Sequence, residues 1–145
     1  MILFSSALEL ILIIIVTMNN LIIDAARDKI FFTLIIDKNI YTCSHENSKS
    51  NFEKLILLIN EFLIENKTSI NQIMAIYVNR GPGSFAGIRN SLSIVKGFNL
   101  VKNIDYYCFS YMDFNKSSFV KHEDVPNLCN KFNIKKNLIK PIYLS

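Results

Sequence analysis

The spacing of apolar residues changes period near Ser50, and this change constrains the fold more than any other feature of the chain. Before it, Asn20 to Asp24 (NLIID) and Lys29 to Asp37 (KIFFTLIID) are short runs rich in Ile and Phe, split by the polar stretch Ala25 to Asp28. Asp37-Lys38-Asn39 reads as a hairpin turn into a third run, Ile40 to Ser44. Three such runs predict an antiparallel meander. The first carries three consecutive apolar residues, Leu21 to Ile23, as a central strand buried on both faces requires.

After Ser50 the apolar residues recur at helical spacing. Ser50-Asn51-Phe52-Glu53 fits a capping box. Phe52, Leu55, Ile56, Ile59, Phe62 and Leu63 then predict a helix from Asn51 to about Asn66. Leu57, Leu58 and Ile64 widen the stripe beyond one sheet contact. They pack either under neighbouring loops or against a partner, and the partner is the favoured reading. Ile73 to Val78 predicts a fourth strand. A glycine-rich loop leads into a helix to about Lys102, with Ile88, Leu92, Val95, Phe98 and Val101 on the apolar side, and Ile104 to Phe109 predicts a fifth strand. The order predicts an α/β fold: a mixed five-stranded sheet with helices, its helix-linked strands parallel to the first. From Ser110 the signal fades, leaving a short helix at Val125 to Phe132 and a terminal strand at Ile142 to Leu144 as weak expectations.

Residues 1–17 stand apart. They are apolar at 13 of 17 positions, carry Glu9, and have no Lys or Arg before Arg27. A membrane helix needs roughly 20 apolar residues and a secretory signal a positive start. Met18 directly precedes the first strand, so translation is expected to begin there, with residues 1–17 an upstream-start artefact. No membrane association is expected unless those residues are real.

The net charge of +4 and pI of about 9.0 raise nucleic-acid binding as a reading. Ile, Asn and Lys, all encoded by A/T-rich codons, make up 53 of the 145 residues, however, and the lysines are scattered, with only Lys135 and Lys136 adjacent. Codon bias therefore accounts for the basic balance, where a binding footprint would be a patch or stripe. Cys43, Cys108 and Cys129 form no CxxC pair, and His45 and His122 belong to no HExxH motif. These cysteines read as reduced thiols of a cytoplasmic protein, and no metal site is expected.

Gly81 to Arg89 (GPGSFAGIR) joins a strand to a helix. Glycines there permit a tight turn or close backbone approach, and helix-start N–H groups favour anions. The spacing matches neither a Walker loop nor GxGxxG. A phosphate cradle and a purely structural turn remain the two readings.

This nonapeptide resembles the GPGSFTGLR signature of the TsaB (YeaZ) family, the glycoprotease-like proteins of bacterial tRNA threonylcarbamoyladenosine biosynthesis. NLIIDAA resembles the family's opening strand and Asp-Thr-Ser turn, NFEKLILLINEFLIEN its first helix, and PIYLS its closing segment. The similarity is good over residues 18–109 and thin afterwards. It implies half of the actin-like, Hsp70-like ATPase (ribonuclease H-like) architecture, with residues 110–145 a truncated remnant of a second domain and C-terminal strand. It also implies a non-catalytic activator subunit that pairs with the catalytic TsaD paralogue, in a complex with a TsaE-type ATPase, and that meets tRNA through the complex.

On that reading the partner-binding residues are Leu55, Leu58, Ile59, Phe62, Leu92 and Val95. The signature loop is Gly81, Pro82, Gly83, Ser84, Phe85, Gly87 and Arg89. Asp24 marks the first-strand turn, with no catalytic residue and no cofactor expected. Ala25, Ala26 and Ala86 replace hydroxyl-bearing residues of the family pattern, and with only 31 residues between the fifth strand and PIYLS, one chain cannot complete a cleft between two lobes. Asp24 is thus expected to be a structural acceptor for backbone N–H groups. The alternatives are a nucleotide-binding protein using Gly81–Gly87 as a phosphate cradle, or a degenerate copy that folds poorly.

Overall fold

The computed structural model of the protein describes residues 19–115 and 120–143. Strands β1 (Asn19–Asp24), β2 (Lys29–Ile36) and β3 (Asn39–Glu46) form the predicted antiparallel meander. β4 (Ala75–Asn79) and β5 (Asp105–Phe109) extend the sheet on the other side of β1 as parallel neighbours, giving the order β3-β2-β1-β4-β5. The apolar run of β1 is therefore explained by its central place: Leu21, Ile22 and Ile23 are all buried.

Helix α1 (Lys49–Glu53) and α2 (Leu55–Glu65) connect β3 to β4, and α3 (Phe85–Lys102) connects β4 to β5. The expected single helix from Asn51 breaks at Lys54, whose backbone (φ −112°, ψ 24°) is not helical. Its cap also differs from the expected Ser50 box. Ser48 accepts the Asn51 N–H at 3.2 Å, because β3 runs on to Glu46 and only Asn47 separates it from the cap. The Asn51 side-chain amide then donates to the Glu46 carbonyl at 2.8 Å, tying the first turn to the end of β3.

Alternate residues of each strand serve opposite faces. Leu21 and Ile23, with Phe32, Ile76 and Val78, meet Leu55, Leu58, Ile59, Phe62 and Leu63 of α2 and Ile88, Leu92 and Val95 of α3. Ile22, Ala75, Tyr77 and Phe109 on the other face meet Phe114, Val120, Val125 and Cys129. The second face is thus covered by the stretch after β5, including α4 (Val125–Lys131), whose position agrees with the weak expectation from sequence. The expected terminal strand is not formed at Ile142 and Tyr143. Ile142 donates one bond to the Arg80 carbonyl, which does not make a ladder, and Leu144 lies outside the described residues, as does the leader 1–17.

With four glycines in the chain, left-handed backbone positions fall to other residues. Asn103, Asn115, Asn133 and Asn137 all take positive φ, Asn103 as the C-cap of α3. Asn tolerates this conformation better than other residues with a Cβ, so an Asn-rich composition can end helices without glycine.

The two sides of α2 set up a stability contrast. Ile59→Ala, at a side chain 1% exposed, should lower the unfolding free energy by about 2–5 kcal/mol. Ile64→Ala, at 61% exposure, should change it by no more than about 0.5 kcal/mol. Urea denaturation followed by circular dichroism measures both.

Candidate functional site

The second face of the sheet ends, at the C-terminal ends of β1 and β4, in the neighbouring positions Phe31, Asp24, Asn79 and Phe109. Asp24 has no exposed surface, so protein groups must replace its water. Asn79 Nδ2 donates to Oδ1 at 3.0 Å, and the Tyr111 hydroxyl donates to Oδ2 at 2.6 Å. His122 Nε2 lies 2.9 Å from the same Oδ2 and 3.1 Å from the Tyr111 oxygen. Arg27 Nη1 adds an ion pair at 3.8 Å, its guanidinium 5.0 Å from the centre of the Phe31 ring. The Ala26 N–H approaches Oδ1 at 3.4 Å. Asp24 is thus an acceptor, as expected, but its short bonds come from side chains and not from backbone N–H groups.

Burial alone raises the Asp24 carboxyl. The hydrogen bonds from His122 and Tyr111, the electrostatic pull of His122 and the Asn79 amide outweigh it and hold the group below its ordinary value. Burial, the charge of Asp24 and the hydrogen bond to it push Tyr111 upward, so the phenol stays protonated as a donor. The ensemble therefore fixes a charged carboxylate as the hub of a polar network. Tyr111 and His122 come from the region where the sequence pattern fades. The Ser110 and Asp113 capping pair that shapes the Tyr111 turn was the local signal available.

The signature loop leaves β4 through the same network. Asn79 Oδ1 accepts the Gly81 N–H at 2.9 Å, so one amide joins Asp24 to the loop. Ser84 N–H donates to the Ala26 carbonyl at 2.8 Å, and Ser84 Oγ caps α3 by accepting the Gly87 N–H at 3.2 Å. A Cβ on Gly83 would overlap the Ala26 carbonyl, and one on Gly87 the Ala25 carbonyl. These glycines are needed for close approach of the loop to the β1–β2 turn. The N–H groups of Gly81, Ser84, Gly87 and Ile88 are all used within the protein, which favours the structural-turn reading of the loop. Pro82, Phe85 and Arg89 are exposed, with the Phe85 ring 4.8 Å from Tyr143. Arg80, beside the loop, grips Asp113 through two bonds of 2.6 and 3.3 Å and donates to the Lys140 carbonyl at 3.1 Å.

The six expected partner-binding residues require a correction. Leu55, Leu58, Ile59, Phe62, Leu92 and Val95 are all buried in this chain's own core, facing the sheet. The uncovered apolar side chains of α2 are Ile56, Leu57 and Ile64. A groove of about 250 Å³ is lined by Ile56 and Leu57 together with Asn60, Ile70 and Phe98. Because α2 is apolar almost all round, helical spacing alone could not tell its inner side from its outer one.

Burial raises the thiols of Cys43 and Cys108 to about 11 and that of Cys129 to about 12, so all three are protonated and poorly nucleophilic at neutral pH. Among the described residues no three His, Cys, Asp or Glu side chains converge as metal ligands, and no helix is long and apolar enough to cross a membrane.

Strand order, helical crossovers on one face and a glycine loop clamped on the first strand's turn define an α/β protein built on a mixed five-stranded sheet. The family model described as "TsaD: tRNA N6-adenosine threonylcarbamoyltransferase" matches residues 45–130, more than half of the chain. Two proteins of Buchnera aphidicola, each named "tRNA threonylcarbamoyladenosine biosynthesis protein TsaB", are similar in sequence. The one from subsp. Baizongia pistaciae is 34% identical over 50% of this chain and 39% of its own length; the one from subsp. Schizaphis graminum is 28% identical over 62% and 43%. Among solved structures, YeaZ from Pseudomonas aeruginosa superposes with a TM-score of 0.59 at 19% identity, covering 64% of this chain and 44% of that one, a likeness of fold. The chain belongs to this family, and its relatives are the TsaB (YeaZ) proteins. It spans about two fifths of the length of the curated relatives it matches.

The lowered carboxyl of Asp24 gives a signed pH dependence. In the unfolded chain the group titrates near 3.9, so its contribution to stability is complete above that value and is lost as pH falls through the lower folded value. Denaturant midpoints taken from about pH 6 down to pH 2 should decline below about pH 4, and Asp24→Asn should remove part of that slope. Gly87→Ala, by driving a methyl into the Ala25 carbonyl, should cost at least about 1–3 kcal/mol, measured by thermal denaturation.

Proposed function

We propose that this protein is a non-catalytic partner subunit in tRNA threonylcarbamoyladenosine biosynthesis. It docks on a TsaD-type catalytic paralogue in the cytoplasm, shares the assembly with a TsaE-type ATPase, and meets tRNA through the complex. The observation that carries this reading is the outer side of α2, where Ile56, Leu57 and Ile64 are each more than half exposed beside an apolar groove. Large apolar side chains exposed on the side of a helix away from its own core are candidates for an interaction site, and an amphipathic helix face is a common docking element. The names of the TsaB relatives supply the pathway. The buried Asp24 network supports a structural role for the β1–β2 turn and the glycine loop, leaving the reaction to the partner. The exposed face replaces the six core residues as the surface expected to meet it.

Co-expression with the TsaD-type protein of the same genome, followed by affinity capture, tests the proposal. Wild-type chain should be retained. Leu57→Glu and Ile64→Glu should each place an uncompensated carboxylate in the interface at a cost of about 3 kcal/mol or more, a loss exceeding roughly a hundredfold in affinity, while their melting curves stay close to wild type. Retention of both variants at wild-type levels would refute docking through this face.

A further inference from the structure

The two edges of the sheet are finished differently. The β5 edge is met by the stretch after α4: the Asn137 N–H donates to the Tyr106 carbonyl at 2.7 Å, the Asn137 side-chain oxygen accepts the Tyr106 N–H at 2.9 Å, and Lys136 bridges to Tyr107. The β3 edge pairs with no strand among the described residues. β3 is eight residues long, its register with β2 runs unbroken from Asn39 to Glu46, and it holds no Pro, Lys or Arg. A long edge without basic residues, proline, bulge or cover is a template for another strand. Ile40 and Tyr41 lie exposed along it.

We propose that β3 is the interface of a two-fold symmetric dimer of this chain, in which the two copies of the strand pair antiparallel and join the two sheets into one. The hairpin fixes which groups are available. Its two-residue turn makes Ile36 and Asn39 a hydrogen-bonded pair, so Asn39, Tyr41, Cys43 and His45 direct their N–H and C=O groups to β2, and Ile40, Thr42, Ser44 and Glu46 direct theirs to the free edge. Bonds between two copies must join members of this outward set, which places the two-fold axis at a residue and not between residues. An axis at Thr42 brings opposite charges together. Ile40 then faces Ser44 of the partner subunit, and Lys38, in the turn, faces Glu46 of the partner subunit, an arrangement that symmetry repeats at the other end. An axis at Cys43 would set Glu46 against Ile40, and one at Tyr41 would leave Glu46 beyond the pairing.

A second copy is selected over an unrelated strand because the edge complements itself. The acid at one end of β3 meets the base beyond the other end, and no like charges face each other. Within its own chain Glu46 lies opposite Lys29 of β2, so in the dimer it sits between two ammonium groups. On the helix side of the sheet, exposed Tyr41 falls opposite Cys43 of the partner subunit. The pairing also closes. It uses the β3 edge of both copies, and the β5 edges are already bonded within each chain, so association stops at two. The dimer rests on this strand edge and does not depend on the docking face of α2.

The test uses the full chain. Sedimentation velocity from about 5 μM to about 500 μM should show a reversible monomer–dimer equilibrium. Amide exchange followed by NMR should slow with rising protein concentration at Ile40, Thr42 and Ser44 and stay constant at Tyr41 and Cys43, which β2 already holds. Lys38→Glu and Glu46→Lys, each on an exposed side chain, set like charges together at both ends of the interface. Each should weaken dimerisation at least about tenfold with a melting curve close to wild type. Their equimolar mixture should regain wild-type affinity to within about threefold, because only the mixed dimer has opposite charges at both ends. The double variant Lys38→Glu/Glu46→Lys should regain it as well. A chain that stays monomeric throughout, association insensitive to both charge reversals, or oligomers growing past two would overturn the proposal. Protection of Ile40, Thr42 and Ser44 that does not depend on concentration would assign the edge to a segment of the same chain, and protection that arises only on adding the TsaD-type protein would assign it to that partner; either result overturns the dimer.

Discussion

A carboxylate with no solvent contact can stay ionised only if donors occupy its lone pairs from several directions, and at Asp24 those donors come from parts of the chain that nothing else brings together. Asn79 reaches it from β4, Tyr111 from the turn after β5, His122 from a stretch almost a hundred residues away, and Arg27 from the adjacent turn. Each donor has a second task. Asn79 holds the first glycine of the loop, and Tyr111 and His122 contact each other and pin the last part of the chain across the sheet. The glycine loop in turn presses on Ala25 and Ala26. The β1–β2 turn is therefore held by a charge on one side and by backbone packing on the other.

That double hold explains the alanines. Where the family pattern has hydroxyls after the Asp, this chain has Ala25 and Ala26, which are 0% and 3% exposed and covered by the loop. A hydroxyl enclosed there would need its own partner, whereas a methyl fits dry contact with Gly83 and Gly87. Loss of the hydroxyls and close packing of the loop are two sides of one arrangement. The loop is thereby held against the β1–β2 turn by direct backbone contact.

The sheet could be read from sequence because its information is local. Short apolar runs at β1 to β3, the turn at Asp37 and the change to helical spacing after β3 are each visible within a few residues, and parallel pairing follows from the helical crossovers. The site is less legible because it joins Asp24 to residues 87 and 98 positions away, and no local period records such a bond. Arg80 and Asp113, 33 residues apart, are hidden for the same reason. The outer side of α2 was legible only in part: Leu57 and Ile64, set outside the stripe that one sheet contact needs, are exposed, whereas Leu58, grouped with them, is buried and Ile56, placed in the stripe, is exposed. In LILLI and FLI the apolar residues surround the helix axis, and spacing shows which residues lie together without showing which group is buried. Only the neighbouring layers decide that Leu55, Leu58, Ile59 and Phe62 go inward.

The two faces of the sheet are consequently finished in different ways. On the helix side, α2 and α3 fill the core completely, yet α2 keeps Ile56, Leu57 and Ile64 at 53%, 54% and 61% exposure. These side chains lie outside the chain's own core. On the other side, the residues after β5 anchor the covering layer at the Asp24 end through charge and hydrogen bonds. Toward the other end of β1 the sheet stays covered, with Ala75 and Tyr77 both buried, and the layer leaves instead a groove of about 550 Å³ between the sheet, α4 and the chain that follows it. The second face is thus tied down by charge at one end and by apolar contact at the other.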